Sequence, residues 1–85
     1  MNVTDTERWL MDYLAANGKG LPEDPEALLT VNYFEIEAID SLGLVIMIGD
    51  IEREYGVQLH AEQLQDPRIC TIRGFAQIVD EARAA

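Results

Sequence analysis

Apolar residues recur at helical spacing in three stretches of the chain. Trp9, Leu10, Tyr13 and Leu14 share one stripe, and Leu44, Ile48, Ile51 and Tyr55, flanked by Met47, share a second. Ile72, Phe75, Ile78, Val79 and Ala82 share a third. Each stripe predicts an amphipathic helix with one core-facing side. The helix ends have their own signals. Thr4-Asp5-Thr6-Glu7 has the form of a capping box, and Asn17-Gly18-Lys19-Gly20 stops the first helix, with Gly18 expected in the left-handed position. The second helix runs from about Ser41 to Tyr55 and stops at Gly56; the last is capped by Thr71 and frays into Arg83-Ala84-Ala85. His60 to Gln65 predicts a short helix, closed before Pro67. No strand alternation, repeat or low-complexity segment is present. The expected fold is all-α: a small bundle of three longer helices plus one short helix, with a long loop between the first two, in a single domain spanning residues 1–85.

That loop runs from Gly20 to Ile39. Leu21-Pro22-Glu23-Asp24-Pro25 is turn chemistry, and Asp24-Pro25-Glu26 suits the start of one short helical turn through Leu29. Val31, Tyr33, Phe34, Ile36 and Ile39 are too apolar for a segment hanging in water, so the loop is expected to lie pinned along the bundle. A long connection in a small domain tends to be functional, and this one delivers the chain to Ser41. On the second helix Leu42 and Ile46 fall opposite the core stripe, one turn apart, with Gly49 and Arg53 continuing the line. Exposed aliphatics ringed by Asp50, Glu52 and Glu54 suggest a docking face; the alternative is that the long connection covers them.

Charge narrows the class of partner. The chain has 85 residues and a net charge of −10, and between Leu21 and Glu54 nine acids face only Arg53. Such a surface repels nucleic acid and anionic membranes and attracts basic patches on other proteins. No apolar run is long enough to cross a bilayer, and Met-Asn-Val-Thr-Asp lacks the features of a signal peptide, so a cytoplasmic protein is expected. Cys70, the one cysteine, has no internal partner and reads as a small buried hydrophobe. His60 stands alone and reads as structural, so no metal site is expected.

Enzyme signatures are missing. There is no P-loop, no Gly-x-Gly-x-x-Gly, no Gly-x-Ser-x-Gly and no Cys-x-x-Cys, and Ser41 has no evident base. The expectation is a protein that is acted upon, with no catalytic residue of its own. Asp40-Ser41 sits where a helix begins, among unpaired N–H groups at the positive end of the macrodipole, which suits a phosphate ester on the hydroxyl. The plainer alternative is that Asp40 or Ser41 simply caps the helix.

Asp40-Ser41-Leu42, the apolar helix after it, and Ile51-Glu52-Arg53-Glu54-Tyr55-Gly56-Val57 together resemble the acyl and peptidyl carrier proteins, the phosphopantetheine-bearing domains of fatty acid, polyketide and non-ribosomal peptide synthesis. The likeness extends from the first helix through Thr71-Ile72 to the last. The resemblance implies that a phosphopantetheinyl transferase attaches 4′-phosphopantetheine to Ser41 as a phosphodiester. It implies that Asp40 helps the transferase recognise the site, and that Leu42 and Val45 meet partner enzymes. The arm's thiol would carry an acyl or aminoacyl group as a thioester between loading and downstream biosynthetic enzymes, the protein being a discrete monomer. Three departures matter. Ala38 stands where many members have glycine, implying a different turn before Asp40; Ile46 stands where typical fatty-acid carriers have a docking glutamate; Gly49 replaces a larger apolar residue. These imply a more apolar partner than a standard fatty-acid synthase. Ala38 to Val45, with Gln65-Asp66-Pro67-Arg68, is similar to free-standing carriers of polyketide pathways that handle small hydroxy-acid or glycerate-derived units. The alternative from another class is a small acidic protein-interaction module that does not use Ser41.

Overall fold

The computed structural model describes residues 2–85; Met1, the first residue of the expected 1–85 domain, lies outside the described residues. Helix α1 spans Asp5–Asn17, α2 Pro25–Thr30, α3 Ser41–Tyr55, α4 Ala61–Leu64 and α5 Ile72–Ala84, with a 3-10 turn at Pro67–Cys70. No strand occurs among the described residues. The three long helices are the expected ones. The loop between the first two holds α2, one residue longer than the turn expected there, and the 3-10 turn was not anticipated.

Local chemistry accounts for the helix starts. Thr4 accepts the Glu7 N–H at 3.0 Å while the Glu7 carboxylate accepts the Thr4 N–H at 2.9 Å, completing the capping box. Asp24 caps α2 ahead of Pro25, and Thr71 Oγ1 accepts the Gly74 N–H at 3.0 Å at the start of α5. Gly56 closes α3 with φ 63, the left-handed position expected of it. Gly18 does not. Its backbone is extended, at φ −97 and ψ 178, and the positive φ falls instead at Gly20. Gly18 is there for space: a Cβ would lie 3.0 Å from the Leu14 carbonyl oxygen and 3.3 Å from that of Ala38.

The core gathers Leu10 and Leu14 of α1, Leu29 of α2, Met47 and Ile51 of α3, and Ile72, Phe75, Ile78 and Val79 of α5, all wholly buried. On α3 this corrects the expected phase. Met47, expected at the flank, lies at the centre of the buried stripe with Ile51, while Leu44, Ile48 and Tyr55 are half-buried at its edge. The connection is pinned as expected through Tyr33, Phe34 and Ile39, but Ile36, expected to help pin it, is exposed. Tyr33 is wholly buried, its hydroxyl donates to the Ile69 carbonyl, and its N–H donates to the Cys70 carbonyl at 3.2 Å. Burial holds its phenol well above the ordinary range. Cys70 is half-buried and packs against the core. No helix among the described residues is long and apolar enough to cross a membrane.

Candidate functional site

The loop from Asn32 to Asp40 sets Ser41 in place. Asn32 Oδ1 accepts the N–H groups of Phe34 and Glu35 at 3.0 and 3.1 Å, an Asx turn that starts the reversal. Glu37 completes it with φ 57, a left-handed conformation rarely held by a residue with a side chain. The Ala38 N–H then returns to the Tyr33 carbonyl at 2.9 Å, and the Ala38 carbonyl accepts the Lys19 N–H at 3.1 Å. Ala38 and Ile39 are buried, so the chain leaves the core only at Asp40. In this turn the left-handed residue is Glu37, and Ala38 itself is a buried clasp to the end of α1.

Asp40 is the cap of α3. Its carboxylate accepts the Gly43 N–H at 2.7 Å, from an extended backbone at φ −100 and ψ −176. Ser41 is therefore the first residue inside the helix. Its side chain is exposed, and Oγ makes no hydrogen bond to another described residue. Of the two residues able to cap, one does so and the other keeps a free hydroxyl in the first turn, where the helix presents unpaired N–H groups.

The face beyond Ser41 is apolar. Leu42, Val45 and Ile46 are 68%, 64% and 50% exposed, so the long connection does not cover them. Of the acids expected to ring that face, two have partners within the fold. Asp50 is half-buried, pairs with Arg53, and lies beside Tyr13, whose phenol is held above its ordinary value by burial first and by Asp50 second. Glu52 is half-buried and accepts the Leu59 N–H at 2.8 Å, tying the chain after Gly56 back onto α3. Glu54 is exposed. The structure thus brings Asp40, Ser41, Leu42, Val45 and Ile46 together at one end and one side of α3, and gives Asp50 and Glu52 structural work as well.

Sequence reasoning missed a cleft beside Ser41. It has a volume of about 770 Å³ and lies between the C-terminal end of α1, the 34–40 loop and the start of α3. Tyr13, Asn17 and Lys19 form one wall, Phe34, Glu37 and Ala38 another, and Asp40, Ser41 and Ile46 the end nearest α3. No local pattern marks it, because its walls come from segments far apart in the chain.

Comparison with curated proteins and with solved structures finds no match. The phosphopantetheine attachment site family does match, over residues 19–79, a span that contains Ser41, the loop that positions it and all of α3. The chain belongs to that family and is a carrier protein whose prosthetic group is 4′-phosphopantetheine.

Proposed function

We propose that Ser41 is the attachment residue and that the protein is a discrete acyl carrier. It would present an acyl or aminoacyl group to a series of biosynthetic enzymes after modification by a phosphopantetheinyl transferase. One observation carries this reading: Asp40, not Ser41, caps α3 at 2.7 Å, which leaves the Ser41 hydroxyl exposed and without a partner. The residues present fit the group. A free hydroxyl in the first helical turn suits a phosphodiester, and an open cleft adjoins it.

When bound, the prosthetic group supplies a terminal thiol that holds the cargo as a thioester. The chain's own residues do the rest. Asp40 fixes the helix start and puts a carboxylate next to the hydroxyl that the transferase must find. Leu42, Val45 and Ile46 offer the apolar surface on which partner enzymes dock, while Asp50 and Glu52 contribute negative charge at its margin. A surface of net charge −10 attracts basic partner faces and raises encounter rates at low salt. None of these steps asks the chain for a general base, in keeping with a carrier and not a catalyst.

The test is modification. Incubated with coenzyme A and a broad-specificity phosphopantetheinyl transferase, the protein should gain the mass of one phosphopantetheine, and Ser41→Ala should gain none. Failure of the wild type with several transferases, or unchanged gain in Ser41→Ala, rejects the assignment of Ser41. An acidic interaction module that makes no use of Ser41 predicts no gain in either protein.

A further inference from the structure

We infer that the cleft between the end of α1 and the 34–40 loop seats the arm attached at Ser41. The inference rests on the reading of Ser41 as the attachment residue. Position is the first ground: Ser41 and Asp40 form one end of the cleft, so a group leaving the hydroxyl starts inside it.

The second ground is that the cleft is already built. The Lys19 N–H bond to the Ala38 carbonyl, at 3.1 Å, fastens the end of α1 to the loop, and the Asn32 turn holds Phe34 in the opposite wall. Tyr13 stacks on Trp9 with ring centroids 5.1 Å apart, and its carbonyl accepts the Asn17 side-chain amide at 2.9 Å. Both side chains are thus held in place before any ligand arrives, so little ordering is left for binding to supply.

Chemistry is the third ground. A phosphopantetheine arm runs from an anionic phosphodiester through a pair of methyl groups and a hydroxyl to two amides. The residues lining the cleft include partners for each of these groups: Lys19 for the anion, Asn17 and Tyr13 for hydrogen bonds, and Phe34 and Ile46 for the methyl groups. Lys19 is the only cation among the lining residues, and it makes no ion pair with another described residue. In a chain of net charge −10, that ammonium is the one lining group that attracts an added phosphodiester, against the carboxylates of Glu37 and Asp40 in the same cleft.

Isotope-labelled protein carrying an unlabelled arm, loaded from coenzyme A, tests this by NMR. Attachment should shift the amide signals of Tyr13 to Lys19 and Phe34 to Ala38, and the arm's methyl protons should show cross-relaxation to the Phe34 and Tyr13 rings. In Asn17→Trp, which fills the cleft, and in Lys19→Gln, which removes its cation, those shifts should collapse; each is read only after mass spectrometry has established that its arm is attached. Shifts confined to residues 40–43 with no arm-to-protein cross-relaxation would overturn the inference, as would contacts to Met47, Ile51 or Phe75 on the other side of α3. In both cases the mass gain at Ser41 would leave the carrier reading intact. Absence of any mass gain at Ser41 removes that reading and this one with it.

Discussion

Asp40 accepts the Gly43 N–H at 2.7 Å, and so the acid beside Ser41 has two separable properties: it is the α3 cap and it is a negative charge. Asn caps as well as Asp, whereas Ala does not. Asp40→Asn should therefore keep the melting temperature of the wild type, and Asp40→Ala should lose about 1 kcal/mol. If transferases read the charge, both variants will be modified more slowly at Ser41; if they read only the helix geometry, Asp40→Asn will be modified at the wild-type rate. Chemical denaturation together with timed mass spectrometry distinguishes the two properties in one pair of variants.

The two sides of α3 should respond differently to the same substitution. Ile46 is half-exposed and Met47, the next residue, is wholly buried. Ile46→Glu places a carboxylate in water and should change folding stability by no more than about 0.5 kcal/mol. Its effect should appear as slower turnover with a cognate loading enzyme. Met47→Glu puts a carboxylate into the core at a cost of several kcal/mol, in a domain with only about 5 kcal/mol to lose, and should leave the protein largely unfolded. Comparable thermal melts for the two variants would mean that Ile46 is packed in solution and that the exposed face lies elsewhere.

Most of this architecture was legible because its signals are local. Thr4 with Glu7, Asp24 with Pro25, Thr71 and Gly56 each act within one helical turn of themselves, so the residue types announce the helix ends. What depended on distant segments was not legible. Gly18 reads as a left-handed stop, yet the space it occupies is set by the Ala38 carbonyl, which no local pattern records. The apolar stripe of α3 gives the width of its buried side but not its centre; that centre falls on Met47 and Ile51. At the site, Asp40, Ser41, Leu42 and Ile46 could be found from helical spacing and cap chemistry. The structural partners of Asp50 and Glu52 could not, because Tyr13 lies on another helix and Leu59 beyond the helix end.

Acid should weaken the fold in part through one cluster. Arg68 in the 3-10 turn donates to Asp66 Oδ2 at 2.9 Å and to Glu81 of α5 at 2.9 and 3.0 Å. The hydrogen bonds from Arg68 hold both carboxyls below their ordinary values of 3.8 and 4.5. A carboxyl whose pKa is lower in the folded state binds fewer protons there. Its contribution is therefore complete above its unfolded value and is lost as pH falls through the lowered folded value. At neutral pH the wild type should accordingly melt slightly above Arg68→Gln, by a small margin because these side chains are partly exposed and screened, and the two should converge as pH falls below 4.5. Melting curves of the two proteins that run parallel from neutral to acid pH would show that the cluster adds no pH dependence.

Two glycines in helices should respond to the same added methyl group with opposite signs. At Gly49, within α3, a Cβ would meet nothing closer than Arg53 Nη1 at 3.8 Å. Gly49→Ala should therefore gain up to about 1 kcal/mol, the usual advantage of alanine inside a helix, mainly by restricting the unfolded chain. For a domain of this size that is a rise of roughly 4–8 °C in melting temperature. At Gly74, in the first turn of α5, a Cβ would lie 2.8 Å from Arg68 Cβ and 2.9 Å from its carbonyl carbon, and would overlap the carbonyl oxygen. Those are mostly backbone atoms that cannot swing aside, so Gly74→Ala must push the 3-10 turn away from α5. Overpacking of this kind costs about 1–3 kcal/mol and outweighs the gain in helix propensity. It would also strain the contact of Arg68 with Glu81, so the acid dependence of Gly74→Ala should be shallower than that of the wild type. A Gly74→Ala protein as stable as Gly49→Ala would mean that the 3-10 turn is free to move in solution, with Arg68 no longer fixed against α5.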